Sequence, residues 1–572
     1  MYIGDLHIHS RYSRATSKDC TPEHLDLWAR KKGIHIVGTG DFTHPAWREE
    51  LKEKLEPAED GLYVLKKEYR IGGAGESGMQ PRFVVTGEIS SIYKKGDRVR
   101  KVHSLLLLPG LEAAEALARR LELIGNIHSD GRPILGIPCR DLLEIMLETC
   151  PEGIYVPAHI WTPHFSLFGA FSGFETIEEC FEDLTPHIHA LETGLSSDPP
   201  MNWRVAALDR FHLISNSDAH SPAKLGREAN LFDMELSFQG LAGAVQEGKG
   251  LEGTIEFFPE EGKYHFDGHR KCGLCISPQE TAKYGGRCPV CGKKITIGVL
   301  NRIEQLADAD REEGFVLPAG RPFESLVPLP EVIGASMGIS AAGKKAVETY
   351  ERMIRNLGPE FAILREVPVE DIRKAAGPLV AEGIRRLREG KVERTPGFDG
   401  EYGKIGLLTP EDISSLEGQM SFFTAQELRA MEKGHQERNP ETDMAHKGSD
   451  MGEQAGGKRH REMPEETDAS GRQDSELPGE AAGPGDSKAK AEAGSRSAGL
   501  NSCQQEAVER IAPSVAVIAG PGAGKTRTLI ARLRHLLEKR GIAPEEITAV
   551  TFTNKAAEEL RARMEAESSV RE

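Results

Sequence analysis

The 572-residue sequence has no apolar run approaching the roughly 20 residues that a membrane-spanning helix needs, which argues against an integral membrane protein. It also lacks a basic surplus: 72 Lys and Arg against 89 Asp and Glu leave a formal charge of −17. Such a chain does not coat nucleic acid by bulk electrostatics, so any DNA contact has to be local. No basic-then-apolar leader precedes Met1-Tyr2-Ile3-Gly4-Asp5, and a cytoplasmic location with no membrane partner is expected. Cysteine is sparse. Of nine, Cys20, Cys139, Cys150, Cys180 and Cys503 are scattered and four form a tight cluster. A disulfide framework fits a leaderless chain of this size poorly, which leaves metal binding for the cluster. What remains is a 38% hydrophobic, 28% charged composition of the globular kind. The length is too great for one core and implies about two to four domains.

Up to about Phe258, short apolar runs end in polar or acidic residues and are followed by helix-like stretches. The clearest are Ile34 to Asp41, Phe83 to Glu88, Ile154 to His159 and His212 to Asp218. This alternation predicts parallel strands joined by helices. Thr21-Pro22-Glu23 supplies a helix cap and first turn, and Gly33 stands where that helix should stop. Residues 258–299 form a small, polar, glycine-rich module, and residues 300–415 read as helical, with one continuous stretch from Lys344 to Leu357. Residues 416–498 hold almost no large apolar side chains and cannot bury enough surface to offset chain entropy, so a disordered linker is expected there. Residues 499–572 return to ordered patterning.

Asp5-Leu6-His7-Ile8-His9 puts two imidazoles two residues apart at the end of a predicted strand, where a period of two projects both to one side. Asp41, Glu88, His159, Asp218 and His220 also fall at strand ends or just beyond them. In a parallel barrel those ends converge on one face. Carboxylates gathered there would repel one another at a cost of several kcal/mol, so bound cations are the economical explanation. His103 stands apart, because it opens the run Val102 to Leu108 rather than closing it. The paired nitrogens suit zinc, manganese or iron; two or three divalent metals, zinc, manganese or magnesium, are expected, and clustered metals of this kind hydrolyse phosphoesters.

The order His-x-His, Asp, Glu, His, His, Asp-x-His resembles the polymerase-and-histidinol-phosphatase (PHP) superfamily. That resemblance implies a distorted (β/α)7 barrel around two or three metals. It makes His7, His9, Glu88 and Asp218 the catalytic set and the ligands of one metal, with Glu88 bridging to a second held by His103 and His159. Asp41 and His220 would complete a third position. Phe42 replaces the histidine many relatives carry after Asp41, the further histidine just after the first motif is absent, and His44 is the residue able to substitute.

Cys272-x2-Cys275 and Cys288-x2-Cys291 are two knuckles spaced for a tetrahedral zinc site. Such a zinc either staples a domain too small for a core or presents the nearby basic residues His269, Arg270, Lys271, Arg287, Lys293 and Lys294 to a DNA backbone. The loop Trp161 to Phe171 is rich in aromatics, which either pack in the core or stack on an extruded base.

The long strings Asp5 to Asp19, Gly38 to Pro45, Pro157 to Pro163, the cysteine module and Pro396 to Gly403 make the first 408 residues or so resemble the endonuclease Q family. This resemblance implies a DNA-repair nuclease cutting on the 5′ side of deaminated bases (deoxyuridine, deoxyinosine) or abasic sites. The alternatives are a small-molecule phosphatase of the histidinol-phosphate type and a non-catalytic DNA-binding scaffold.

Ala519-Gly520-Pro521-Gly522-Ala523-Gly524-Lys525-Thr526 follows a predicted strand and opens a helix, the context of a phosphate loop. With Leu500-Asn501, Gln504 and Thr551 to Ala557, it resembles the start of a UvrD/PcrA/Rep-type superfamily 1 helicase. By that resemblance Gln504 contacts adenine, while Gly522, Gly524, Lys525 and Thr526 hold nucleotide phosphate and magnesium. No acidic Walker B strand or arginine finger follows, so weak ATP binding at most and no unwinding are expected. The expected partners are damaged DNA and repair or helicase proteins.

Overall fold

A computed structural model of the protein describes residues 1–73, 80–416, 502–510, 525–549 and 561. The chain divides into two units, residues 1–469 and 470–572. The expected disordered linker falls outside the described residues, apart from residue 416.

In the first unit the strands are, in chain order, β1 (Tyr2–Asp5), β2 (Ile36–Gly38), β3 (Leu55–Pro57), β4 (Leu62–Leu65), β5 (Arg82–Lys95), β6 (Arg98–Leu108), β7 (Ile134–Leu135) and β8 (Ile154–Pro157). There follow β9 (Ala190–Glu192), β10 (His212–Ile214), β11 (Ala229–Phe232), β12 (Leu251–Glu256), β13 (Asp267–His269), β14 (Leu274–Ile276), β15 (Phe323–Ser325), β16 (Glu393–Thr395) and β17 (Lys404–Gly406). The main sheet runs β15-β12-β11-β1-β2-β5-β4-β3, with β6 and β7 added on β5, and β8 on β6. β9 and β10 form a separate parallel pair.

The sheet is mixed, where the alternating pattern predicted parallel strands. β1, β2 and β5 are parallel, but β5 and β6 make a long hairpin around Gly96-Asp97, and β6 is antiparallel to β8 as well. The turn is so short that β6 has to return alongside β5. Leu6, Ile36, Val84, Leu105, Leu107, Val156, Ala190, Ile214 and Phe232, drawn from or beside strands of both sheets, share one buried cluster with Phe238 and Leu241 of the helix Phe238–Glu247.

The helix Pro22–Lys32 starts at Thr21 and ends at Gly33, whose φ of 84° is the left-handed conformation that closes a helix. Its last residue, the buried Lys32, bonds Glu360 at 2.9 Å, and Glu360 also accepts from the Leu329 amide and the Tyr350 hydroxyl. A buried cation needs such a partner. This one ties the strand region to the helical module of Leu329–Met337, Lys344–Leu357, Glu360–Arg365, Val369–Ala376 and Pro378–Arg388. In the second unit the helix Ser502–Glu509 is held to Lys525–Arg534 by Arg532, which donates to the Ala507 and Val508 carbonyls. Among the described residues no helix is long and apolar enough to cross a membrane.

Candidate metal centre

Beyond β1 the chain stays extended, and Ile8 makes a parallel bridge to Ala219, fastened by the His9 amide on the Ala219 carbonyl at 3.0 Å. His7 and His9 flank one bridge residue; Asp218 and His220 flank the other. Alternation along two paired segments therefore sends all four side chains to the same side. Gly40 lets the next segment approach, since a Cβ there would strike the Ile8 carbonyl. Three of the candidate ligands have left-handed backbone, Asp41 at φ 51°, His159 at 30° and Asp218 at 46°. Conformations that costly for side-chain-bearing residues persist where the surrounding fold imposes them, and they gather at functional sites.

Ligand atoms of His7, His9, Glu88 and Asp218 lie within 4.8 Å of one another, as do those of Glu88, His103 and His159. Glu88 belongs to both groups. Its Oε2 is 3.3 Å from His9 Nε2 and 3.8 Å from His7 Nε2, while its Oε1 is 3.0 Å from His159 Nε2 and also meets His103 Nδ1. Asp218 Oδ1 stands 3.0 Å from His9 Nε2, and Asp218 is the one member of its group that opens to solvent, 28% exposed. His103 joins because β6 runs antiparallel to β5: it stands opposite Ser90, two residues from Glu88, and so on the same face of the sheet.

Asp41 spends both oxygens on support, Oδ1 on His9 Nδ1 at 3.0 Å and Oδ2 on the amide and hydroxyl of Ser10 at 2.7 and 2.6 Å. His220 lies tilted against His9, ring centres 4.5 Å apart, with Nδ1 2.9 Å from the Asp218 carbonyl. Among the described residues neither joins a ligand group. His44 bonds the His128 carbonyl and stacks on Tyr12.

The electrostatics of the cluster demand positive charge. Burial opposes ionisation of Glu88, yet His103 and Arg132 outweigh it and hold its carboxyl well below the ordinary range. Burial likewise opposes ionisation of Asp218, and His9, His7 and His220 overcome it. His7 and His9, fully buried, are pushed well above the usual histidine value, because carboxylates on either side outweigh desolvation. His7 Nε2, His9 Nε2 and Asp218 Oδ1 are buried without a hydrogen-bond partner although they face one another. Such orphaned polar atoms in a nitrogen–carboxylate set fit a divalent cation.

Two contributors were missed in the sequence. Glu192 accepts from His7 Nδ1 at 3.0 Å, from the His159 amide at 2.8 Å and from Asn216 Nδ2 at 2.9 Å. It thereby orients one ligand of each group, as partners behind metal ligands do. Its signature, an acid closing the short apolar strand β9, is the one that marked Glu88. Arg132 places Nη1 3.0 Å from Glu88 Oε2 with 26% of its side chain exposed, and nothing local in its sequence announces it.

In the aromatic loop, Trp161 is buried on Phe168 and bonded to Asn202, whereas Phe165 lies against the His103 ring and Phe171, 56% exposed, stacks on His164. The loop divides between core and surface. In the cysteine module, Cys272, Cys288 and Cys291 come together with His269, and the Cys275 thiol turns to the Pro396 carbonyl. In the second unit Gln504 lies in the helix Ser502–Glu509, and Lys525 and Thr526 begin the helix Lys525–Arg534; Gly522 and Gly524 lie outside the described residues.

Imidazole and carboxylate groups sharing a central glutamate are an arrangement suited to metal-dependent hydrolases, phosphoester hydrolases among them. The comparisons narrow that class. The chain is 31% identical to the lesion-specific endonuclease PfuEndoQ from Pyrococcus furiosus, over 72% of this chain and 98% of that one, with a TM-score of 0.62. A solved complex of endonuclease Q with a 27-mer duplex substrate carrying an abasic lesion at the active site matches with the same identity and TM-score, over 72% and 97%. The chain belongs to the endonuclease Q family.

It is also 33% identical over 255 residues to the uncharacterized protein MJ0043 of Methanocaldococcus jannaschii, 43% of this chain but 31% of that protein's length. Residues 328–391 match the MJ0043 C-terminal domain. Residues 500–571 match the UvrD/REP helicase N-terminal domain, and 67 residues are 48% identical to the ATP-dependent DNA helicase PcrA of Bacillus subtilis, spanning 9% of that helicase.

Proposed function

We propose that this protein is a metal-dependent DNA-repair endonuclease that hydrolyses the backbone phosphodiester on the 5′ side of a deaminated base (deoxyuridine, deoxyinosine) or an abasic site. The observation that carries the reading is the single glutamate, Glu88, shared by two ligand groups. His7, His9, Glu88 and Asp218 would hold one divalent metal and Glu88, His103 and His159 a second, with Asp41 and His220 beside them for a third. The imidazoles of this donor set suit zinc, and its carboxylates manganese or magnesium. Bound there, such cations lower the pKa of a coordinated water and screen the phosphate charge. The residues of this chain do the rest. Asp218 lies on the open side, where a substrate phosphate arrives; Arg132 offers a guanidinium to that phosphate; Glu192 keeps His7 and His159 aimed. The reading carries with it a PHP-type distorted barrel, supported by the apolar cluster to which strands of both sheets contribute. For residues 500–571 the proposal extends only to weak nucleotide binding through Lys525 and Thr526.

The test is a labelled duplex with one deoxyuridine, deoxyinosine or abasic site, incubated with the protein and manganese, magnesium or zinc beside a phosphate monoester. A nick 5′ of the lesion that leaves a 3′-hydroxyl and a 5′-phosphate is the expected result. Turnover of the monoester with the duplex intact would overturn it.

A further inference from the structure

Two cysteine pairs at Cys-x2-Cys spacing point to four thiolates around one ion, but the fold separates them. β13 and β14 form an antiparallel hairpin in which His269 stands opposite Leu274, and Gly268 opposite Cys275. Leu274 and Ile276 turn their side chains to the face where Ile276, Cys288 and Ile295 pack with Cys272. Side chains alternate along a strand, so Cys275, between Leu274 and Ile276, points to the opposite face. There its thiol meets the Pro396 carbonyl at 4.0 Å. His269, paired with Leu274, falls on the inner face, and its Nδ1 is 3.5 Å from Cys291 Sγ.

We infer that the metal of this module is held by His269, Cys272, Cys288 and Cys291, and that Cys275 is not a ligand. Their donor atoms all lie within 4.8 Å of one another, the spacing that four ligands at about 2.0–2.3 Å around a tetrahedral zinc allow. The sequence then shows one knuckle twice: His269-Arg270-Lys271-Cys272-Gly273 and Cys288-Pro289-Val290-Cys291-Gly292. Each is a ligand, two residues, a cysteine and a glycine. The two glycines have φ of 61° and 72°, and their amides close the turns on the Arg270 and Cys288 carbonyls. Glycine reaches that left-handed conformation without cost. Cys275 is followed instead by Ile276 within β14, which makes no such turn. The first knuckle is braced from outside, since Asp399 accepts from the Arg270 amide at 2.6 Å and the Thr296 hydroxyl at 2.7 Å. Three thiolates and an imidazole make a closed structural zinc site, and binding there stabilises a module whose core is otherwise only three buried side chains.

Cobalt(II) loaded into the full-length protein tests this, because thiolate-to-cobalt charge-transfer absorption reports sulfur-bound metal alone and the mouth groups contain no sulfur. Cys275→Ser is expected to keep the band at wild-type height, and His269→Cys to raise it as a fourth thiolate enters. A lowered band in Cys275→Ser, or an unchanged one in His269→Cys, would overturn the assignment.

Discussion

At the candidate metal centre, hereafter the mouth, one buried glutamate is shared by two groups of possible ligands drawn from residues 7 to 218, while in the small module four possible donors fall between residues 269 and 291 and one of them, Cys291, is exposed. The mouth is framed by the protein itself. Glu192, Asp41, Asn216 and Ser10 fix its side chains before any cation arrives. The small module has three residues in its buried apolar cluster, and under the proposed assignment a bound metal would supply the stability that so small a core cannot. A cluster set in a preformed polar frame can be tuned for chemistry, whereas one that frames itself around an ion is suited to holding shape.

The largest expected effect breaks the comparison if it fails. Asp218→Ala removes a proposed metal ligand and should lower the proposed nicking on the order of a thousandfold or more, with melting temperature and duplex affinity kept. Cys288→Ala should do the converse, losing duplex affinity or melting temperature. If both variants lose stability alike, the two regions are not built differently.

A smaller effect is expected at Glu192→Gln, which keeps the shape and loses the charge behind His7. Metal-activation curves should shift by about 10- to 100-fold. An unmoved curve would mean that His7 is oriented without Glu192.

The smallest concerns the buried acids beneath the mouth. Burial first, with Asp198 adding repulsion, pushes Glu256 from the ordinary 4.5 up to about 8, and neighbouring Glu228 is raised as well. The folded protein therefore holds a proton that the unfolded chain releases. Its stabilising contribution is present below the unfolded value of 4.5 and lost as pH climbs through about 8. Glu256→Gln should flatten the fall of melting temperature across that window, and an unchanged slope would place the proton elsewhere.

Much of the mouth was legible in the residues. His7, His9, Glu88, His159 and Asp218 each sit where a short apolar run ends, and the structure gathers them. The helix Pro22–Lys32 and the stretch Lys344 to Leu357 also stand where capping and periodicity put them. His103 was anomalous only while its strand was taken as parallel; a two-residue turn reverses the strand and brings its middle, where His103 stands opposite Ser90, beside Glu88. Arg132 carries no local signal, because its function comes from a loop brought beside Glu88.

The sequence by itself determined which residue types recur at strand ends, the closely spaced cysteines of the small module, and the resemblances at both ends of the chain, since these depend on side-chain period and local spacing. Only the tertiary structure decided that Glu88 is shared, that Glu192 stands behind His7, and that His269 rather than Cys275 faces the other thiols. Those outcomes rest on strand direction and register, and a reversal of direction or a one-residue step along a strand moves a side chain to another end or face of the sheet.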